Sequence, residues 1–307
     1  MTAPAHLPAL GVGMVLHPDQ AYLSLCADLI ERDADFYEVS PETLWRTDES
    51  GGLHDSPWAD VFLDLKAYSG KPFVGHGLGL SPGTAPGSDA EARRLRQWVD
   101  QVARHQRRFG YLWYTEHLGW VTAEGLAAVL PMPLPPTDES VAVVTSRLSL
   151  LKPVVPTVGF ENQVSYFTFG DPRDEAPFWT RLCHAGDLWL LLDLHNAWTQ
   201  CLNTGLDLDE YLSGLDLSRV LEIHLSGGSD SEPGWLPGGG TLRLDTHDAP
   251  VPEPVWRAFE RVRPRCPNLR GVVVERMNGS FHDAGDVGDY AAELRRAKRI
   301  FAEGRPC

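Results

Sequence analysis

The chain has 307 residues, of which 43% are hydrophobic, and its formal net charge is −15. A chain of this length and apolar content buries a large core, and barrels of this size form a single domain, so we predict one domain over residues 1–307. The 42 acidic residues outnumber the 27 basic ones and repel a phosphate backbone, which argues against a nucleic-acid partner.

The sequence contains neither a membrane-helix candidate nor a disulfide framework. No stretch reaches the roughly 18 consecutive apolar residues of a membrane helix, and the N-terminal segment MTAPAHLPALGVGMVLHPD does not have the pattern of a signal peptide. The five cysteines are odd in number, widely spaced and without a CxxC pair. We therefore expect reduced thiols, a cytoplasmic protein and no association with a membrane.

Eight short apolar runs typical of β-strands recur along the chain. They are LGVGMVL (10–16), DFYEVS (35–40), KPFVGHG (71–77), YLWYTEH (111–117), TVGFEN (157–162), LWLLLDLHN (188–196), VLEIHLS (220–226) and GVVVER (271–276). Segments with helical periodicity lie between most of them, at 89–110, 138–152, 176–186 and 253–265 among others. Strands that alternate with helices predict a parallel sheet, and eight such units predict a (β/α)8 barrel, the TIM-barrel fold.

A long loop is predicted after the seventh run. Residues 227–240, GGSDSEPGWLPGGG, are rich in glycine and proline, whereas no repeat or linker breaks the alternation of strands and helices elsewhere. In a barrel this loop lies at the catalytic mouth, where it acts as a lid or as a partner surface. A flexible surface insertion is the alternative.

Side chains that bind metals stand at or near the ends of the runs, and in a barrel these ends converge on one mouth. They are His76, His117, Glu161, Asp193, Asn196, His224, Asp245, His247 and Glu275. A buried group of carboxylates and imidazoles needs a compensating charge, which a divalent or trivalent cation supplies. Mixed histidine and carboxylate ligands are typical of zinc, iron or manganese, while the absence of positioned thiolates argues against iron–sulfur and structural zinc sites.

Each candidate also has an ordinary structural interpretation. A lone histidine such as His76 is more often structural than a ligand, Glu161 can cap the following helix, and Asp193 can be a buried, hydrogen-bonded carboxylate. Glu275 can form an ion pair with Arg276. Independent accidents do not explain ligand-type residues at the ends of so many separate strands, and together these residues favour a metal site.

Four further residues lie close to these motifs. Glu38, Glu42 and Trp45 follow the second run and either reach the mouth or stay outside it. His195 is also of ligand type, but strand alternation turns it away from the face that carries Asp193. We therefore expect His195 to lie behind the ligands rather than among them.

Taken in order, seven motifs resemble a single family. FVGHGLGLS, TEHLGW, GFENQVSYF, LLLDLHNAW, EIHLSGG, LDTHDAPVPEPVW and VVVERM are similar to motifs of the multinuclear non-haem iron-dependent oxidative enzymes, over about residues 9–280. The resemblance implies a xylose-isomerase-like barrel with two or three irons, in mixed Fe2+ and Fe3+ states, at its mouth. It also implies that dioxygen is used to oxidise cysteine residues of a ribosomally made precursor peptide. A small, separate partner protein that binds the peptide leader is implied as well.

The resemblance further distributes the ligands over three ions. The three groups are His76, His117 and Glu161; Glu161, as a bridge, with Asp193, His224 and Glu275; and Asn196, Asp245 and His247. The third ion is expected to be the loosest, because an asparagine is a neutral ligand. One departure from the family pattern is Gly228, which stands where many members carry a second histidine after His224.

Two other functions stay open at this point. Hydrolysis or isomerisation on the same scaffold, as in the trinuclear-zinc apurinic endonucleases and the xylose isomerases, uses the same ligand types. The acidic charge argues against the DNA enzyme. The second alternative is a metal-dependent scaffold that holds a peptide without reaction. The C-terminal GRPC admits self-modification at Cys307, although an exposed tail is the simpler account.

Overall fold

Eight parallel strands close into a barrel in the computed structural model, which describes residues 7–123, 126–236 and 238–303. The strands are β1 (Gly11–Val15), β2 (Tyr37–Val39), β3 (Phe73–Gly77), β4 (Tyr114–His117), β5 (Val158–Glu161), β6 (Trp189–Asp193), β7 (Val220–Leu225) and β8 (Gly271–Val274). Each strand pairs with the next along the chain, and β8 pairs with β1. The predicted barrel is confirmed, and each predicted run contains one of its strands.

Helices cover the outside of the barrel between the strands. The α-helices are α1 (Gln20–Leu25), α2 (Pro57–Ser69), α3 (Asp89–Phe109), α4 (Asp138–Ser149), α5 (Glu175–Gly186), α6 (Leu194–Thr204), α7 (Leu208–Ser213), α8 (Glu253–Val262) and α9 (Ala284–Glu303). Several begin at a capping residue that the sequence supplies: Ser88 and Thr137 accept backbone hydrogen bonds from the first turns of α3 and α4. The predicted helix over 253–265 ends at Val262 and continues as a short 3-10 turn, Arg263–Arg265.

Apolar side chains close the lower part of the barrel interior. This cluster consists of Leu7, Val15, Phe36, Val74, Trp113, Trp189, Leu221 and Val273. A larger apolar layer lies between the strands and the helices. Alternation along each strand separates the two layers, because successive side chains point to opposite faces. The apolar floor leaves the polar strand ends together at the opposite, C-terminal mouth.

Two hairpins outside the barrel escaped the sequence analysis. Trp45–Thr47 pairs with Leu53–Asp55 after β2, and Trp120–Ala123 pairs with Leu126–Met132 after β4. Trp45–Thr47, Leu53–Asp55 and Trp120–Ala123 are only three or four residues long, too short to show a clear alternation. Leu126–Met132 is a continuous apolar run, LAAVLPM, but Pro131 within it argues against a strand. Both hairpins follow the C-terminal end of a barrel strand.

The long connection between β7 and α8, residues 226–252, is called the β7–α8 loop here. Its base is closed by backbone hydrogen bonds from Ser231 to Leu242 (2.7 Å) and from Leu244 to Ser229 (2.8 Å). The tip carries Trp235, whose surface is 62% exposed. The loop does lie at the mouth, as predicted, and its hydrogen-bonded base holds the following residues in place.

The remaining general predictions have mixed outcomes. No helix in the described part of the chain has the length and hydropathy needed to cross a bilayer. The four described cysteines are unpaired and buried, in agreement with reduced thiols. Cys307 lies outside the described residues. That one domain spans 1–307 stays a prediction.

The barrel floor allows a test of packing. A methyl group on Gly271 would lie 2.8 Å from Phe36 Cζ and 3.2 Å from Trp113 Cζ2, so Gly271→Ala is expected to lower the free energy of unfolding by about 1–3 kcal/mol. Gly288, in α9, has open space at the same position. Gly288→Ala should therefore raise stability by up to about 1 kcal/mol. Urea denaturation of the two variants measures both effects; equal stabilities would contradict this account of the floor.

Candidate metal centre

The nine predicted ligand side chains lie together at the C-terminal mouth. Six stand at or directly after the ends of β3 to β8, in the order His76, His117, Glu161, Asp193, His224 and Glu275. The other three are Asn196 in the first turn of α6, and Asp245 and His247 in the β7–α8 loop. The structure thus places all nine at one mouth, whereas their roles as ligands stay a prediction.

The site converges on the Glu161 carboxylate. Glu161 Oε2 lies 3.2 Å from Nε2 of His76 and 3.2 Å from Nε2 of His117. On the other side, Glu161 Oε1 lies 3.9 Å from Nδ1 of His224. Within the described residues neither Glu161 Oε2 nor His76 Nε2 has a hydrogen-bond partner, although both are buried. Buried polar atoms that face one another without hydrogen bonds form a set of ligands ready for a cation.

The hydrogen-bond partner of Nδ1 in each imidazole determines whether Nε2 carries a hydrogen or a lone pair. His117 Nδ1 lies 3.0 Å from the carbonyl oxygen of Gly77, which only accepts, so Nδ1 carries the hydrogen. His76 Nδ1 lies 2.8 Å from Thr115 Oγ1. Burial lowers the pKa of His76 to about 4 and also lowers the pKa of His117, so both rings are neutral near pH 7. The lone pair on His117 Nε2 therefore faces Glu161, and a cation between the two relieves their repulsion.

A second group lies between β6, β7 and β8. Asp193, His224 and Glu275 each offer one ligand atom, and these atoms lie within 4.8 Å of one another. Asp193 Oδ1 accepts the backbone N–H of Asn196 at 2.7 Å and so caps α6. Asp193 Oδ2 is buried and accepts no hydrogen bond from any described residue. The structural interpretation of Asp193 thus holds for one oxygen, while the other is free to bind an ion.

The β7–α8 loop brings a third group against the second. His247 Nε2 lies 2.5 Å from Asp245 Oδ1, and His247 Nδ1 lies 3.1 Å from Glu275 Oε1. Two hydrogen bonds fix the loop there: the Asp245 backbone N–H donates to Tyr166 Oη at 3.0 Å, and the Met277 N–H donates to the His247 carbonyl at 2.8 Å. His247 also adopts a positive φ of 51°. The loop is therefore held in a defined and strained position at the site.

Carboxylates and imidazoles shift each other's ionisation in this enclosed space. Burial raises the pKa of Glu161 and raises that of Asp193 well above its usual range. Burial alone would lower the pKa of His247, but the Glu275 and Asp245 carboxylates raise it well above the ordinary value. Without another cation, protons must therefore supply the positive charge at the mouth.

Glu38 supports the site from below. Glu38 Oε2 lies 3.2 Å from His224 Nε2, which leaves His224 Nδ1 directed at Glu275. Burial alone would lower the pKa of His224, but Glu38 and Glu275 raise it well above the ordinary value. Glu222 lies beside Glu38 and accepts a hydrogen bond from Trp113 Nε1 at 2.7 Å. The place of Glu38 was undecided from the sequence, and Glu222 was missed, although the two-residue spacing of Glu222 from His224 indicates a shared strand face.

Two alternative interpretations of single residues are wrong. Glu275 contacts His224 and His247, while the Arg276 guanidinium lies 3.5 Å from Asp286, so no Glu275–Arg276 pair forms. Glu161 caps no helix, because the following α-helix begins only at residue 175.

Two of the undecided residues stay outside the centre. Glu42 accepts hydrogen bonds from the backbone N–H groups of Leu78 and Gly79, and Trp45 Nε1 donates to His105 Nε2 at 2.8 Å. Glu42 therefore holds the loop that follows β3, and Trp45 joins its hairpin to α3.

The predicted strand over 188–196 is too long, and this changes the position of His195. β6 ends at Asp193, whose side chain caps α6, and α6 begins at Leu194. Strand alternation therefore does not extend to His195, which lies in the first turn of a helix. Its ring is completely buried, and its Nδ1 lies 3.9 Å from Asp245 Oδ1.

Comparison with known proteins identifies the family. The model of the RiPP precursor modification enzymes MbnB/TglH/ChrH, which act on ribosomally made peptides, matches residues 11–302. This chain belongs to that family. The resemblance seen in the seven motifs is confirmed, and a precursor peptide is the class of substrate. A UPF0276 protein of Caulobacter vibrioides is 34% identical over 237 residues, which are 76% of this chain and 78% of that protein.

Solved structures with little sequence similarity share the fold. A xylose isomerase domain protein from Planctomyces limnophilus has a TM-score of 0.60 at 14% identity and covers 96% of this chain and 99% of its own. Endonuclease IV from Thermus thermophilus has a TM-score of 0.52 at 17% identity, with coverage of 96% and 100%. The barrel is therefore of the predicted xylose-isomerase-like type.

The C-terminal anchor of the β7–α8 loop gives a pH-dependent prediction. Glu293 Oε1 accepts the Val251 N–H at 2.6 Å, and burial raises the pKa of Glu293 to about 7. As pH rises from about 4.5 to 7, the Glu293 carboxyl group loses its proton in the unfolded chain, while in the native state it stays protonated up to about pH 7. The free energy of unfolding therefore falls by up to about 3 kcal/mol over this range. Glu293→Gln keeps an acceptor oxygen and removes this loss. Its stability relative to the native chain should therefore increase over that range in urea titrations, whereas exposed Glu49→Gln should show no such trend.

The contact between Glu38 and His224 predicts an effect on metal affinity. Removing a carboxylate that orients a histidine ligand weakens metal binding roughly 10- to 100-fold, so Glu38→Ala should do so here. Glu38→Gln keeps an oxygen that can accept from His224 Nε2 and should lose less. Competition with a chelator measures both affinities, and urea denaturation of the metal-free variants checks the fold. If Glu38→Ala folds and binds the metal as tightly as the native chain, Glu38 does not support the metal centre.

Proposed function

We propose that this protein is an iron-dependent oxidoreductase that uses dioxygen to oxidise cysteine residues of a precursor peptide. The observation that carries the proposal is the convergence of His76 Nε2 and His117 Nε2 on Glu161 Oε2, each at 3.2 Å. Family membership supplies the substrate class. The chemistry of the site then has to account for oxidation.

Two or three irons, in mixed Fe2+ and Fe3+ states, fit the donor set. Histidine nitrogens and carboxylate oxygens without thiolates suit iron as well as zinc or manganese. Iron would supply the electron transfer and dioxygen activation that protein side chains cannot provide. We assign His76, His117 and Glu161 to one ion. Glu161 would also help to hold a second ion, together with Asp193, His224 and Glu275.

The shape of the mouth supports a particular direction of approach for the peptide. His76, Glu161, Asp193 and His224 are almost fully buried. By contrast, the side chains of His117 and Asp245 are 22% and 23% exposed, and that of Glu275 is 13% exposed. A cysteine side chain would therefore enter from the side formed by the exposed three. The buried residues keep water from the centre and hold the ligand atoms in a fixed arrangement.

A separate leader-binding protein completes the proposal. Described residues from 11 to 303 are taken up by the barrel strands, its helices and their connecting loops. Recognition of a peptide leader would then fall to a small partner, with the core peptide delivered to the mouth. We expect this to occur in the cytoplasm, where peptide thiols are reduced.

Hydrolysis or isomerisation is the second candidate. It is favoured by the fold similarity to a xylose isomerase domain protein and by a ligand set that zinc also accepts. The two functions differ in their need for dioxygen. A hydrolase or isomerase would act under anaerobic conditions, whereas the proposed oxidase would not.

The deciding experiment combines metal analysis with peptide mass. The full chain, purified anaerobically and reconstituted with Fe2+, is incubated with Cys-containing peptides encoded beside its gene, with and without dioxygen. We expect dioxygen uptake and a peptide mass changed by a few hydrogens, a carbon or an oxygen. Glu161→Gln should reduce both to background, because it removes the shared carboxylate, while Glu49→Gln should behave as the native chain. Less than about one iron per chain after reconstitution would reject the proposal.

A further inference from the structure

A narrow cleft lies between the segment that enters α4 and the loop that follows β5. Proline, leucine and aromatic side chains form most of its walls, among them Pro133, Leu134, Phe169, Phe178 and Trp179. The space within it is about 20 Å3, enough for one group of the size of a water molecule or an ammonium ion. With the open entrance included, the empty volume is about 340 Å3. The cleft therefore suits a thin, unbranched side chain.

A carboxylate that pairs with no basic side chain in the described part of the protein lines this cleft. Glu175, in the first turn of α5, accepts hydrogen bonds from Ser165 Oγ at 3.2 Å and from Tyr211 Oη at 3.1 Å. Trp179 Nε1 donates to Tyr211 Oη at 3.0 Å, so the tyrosine hydroxyl proton is directed at Glu175. Both oxygens of Glu175 thus have a neutral donor, and each keeps a lone pair for another.

The chain neutralises a comparable carboxylate by itself. Glu91, in the first turn of α3, forms ion pairs with Arg94 at 2.9 Å and with Arg147 at 2.8 Å. Burial alone would raise the pKa of Glu91, but the two arginines lower it below the ordinary value. Burial raises the pKa of Glu175 to about 7 in spite of its two hydrogen bonds. A bound cation would give Glu175 the positive charge that Glu91 obtains from the chain.

The arginines closest to Glu175 in the sequence are paired with other carboxylates. Arg173 lies 3.2 Å from Asp171, and Arg181 contacts Asp138. An incoming cation therefore does not have to displace an arginine from Glu175.

The cleft lies on the side of the mouth from which the cysteine would enter. Ser165 is four residues after Glu161, and the backbone between them spans at most about 14 Å. The next residue, Tyr166, accepts the backbone N–H of Asp245, one of the partly exposed residues of the mouth. An extended peptide covers such a distance in about four residues. One side chain of the substrate can therefore reach Glu175 while a nearby cysteine is at the proposed metal centre.

We propose that this cleft binds the ammonium group of a lysine that lies within about six residues of the modified cysteine in the precursor peptide. Glu175 receives the ammonium group, Ser165 and Tyr211 orient the carboxylate, and the apolar walls cover the methylene stem. The compact ammonium fits the narrow cleft better than the wider guanidinium of arginine. The net charge of −15 attracts such a peptide. The proposal rests on the proposed function only for the position of the reacting cysteine.

A double-mutant cycle of binding tests the pair without any reaction. The full chain is titrated under anaerobic conditions with the Cys-containing precursor peptide encoded beside its gene, and with the same peptide carrying norleucine in place of that lysine. Norleucine should weaken binding to the native chain about 10-fold, and Glu175→Gln should weaken binding of the native peptide by the same factor. The two changes together should weaken binding no more than either alone. Glu210→Gln, which removes an exposed charge from α7 outside the cleft, should bind like the native chain.

Additive losses in this cycle would overturn the proposal, as would a precursor without a lysine within about six residues of its cysteines. Glu175→Gln keeps an acceptor oxygen for Ser165 and for Tyr211, and urea denaturation checks that it folds. A peptide that shows the coupling but is not oxidised would support the lysine site and reject the proposed function. Oxidation of a peptide that shows no coupling would do the opposite.

A second measurement uses the native protein and a small probe. n-Butylammonium, which has the chemistry of a lysine side chain, should shift the indole 15N–H resonance of Trp179, assigned with Trp179→Phe. This N–H donates to the Tyr211 hydroxyl, which in turn donates to Glu175. Butanol is uncharged and of similar length, and it should leave the resonance unchanged. No saturable shift with butylammonium, or an equal shift with butanol, would overturn the proposal.

Discussion

The repulsion between lone pairs at Glu161 is the constraint on which the rest of the mouth depends. Two neutral imidazoles face the same carboxylate oxygen, and the Gly77 carbonyl prevents His117 from turning its N–H toward it. A proton or a cation between the groups stabilises such a contact. The neighbouring carboxylates and histidines increase the need for positive charge at the mouth. Until a cation is bound, protons on these side chains, such as those on His224 and His247, have to supply that charge.

The fold holds these polar side chains in a layer of their own, separate from the apolar interior of the barrel. An apolar floor that includes Phe36 and Trp113 fills the lower interior, and the polar ligands stand above it at the strand ends. Between the two layers, Glu38 and Glu222 connect His224 to the Trp113 indole. We therefore expect a change of volume in the floor to reach His224 through these contacts.

The pattern of the sequence was sufficient to predict the barrel and to predict which residues lie at its mouth, because both follow from the alternation of side chains on parallel strands. It failed where the backbone departs from a regular strand. Asp193 ends β6 by capping α6, so His195 was judged as a strand residue when it belongs to a helix. A register irregularity between β6 and β7 brings Leu221 into the floor while Glu222 stays beside His224. Such local departures depend on tertiary contacts that a single sequence does not display.

The order of the ligands along the chain has a consequence for biosynthesis. The contacts around Glu161 join His76 to His224, and His224 in turn to Glu275, so they close loops that span most of the chain. During translation Glu275 leaves the ribosome late, after every other ligand. A nascent chain therefore cannot assemble the complete group of side chains until β8 has joined β1, and uptake of the full set of proposed ions would report that the barrel is closed. Ions bound at the proposed centre would oppose the opening of any strand that carries a ligand, and metal content would then be linked to the lifetime of the folded protein.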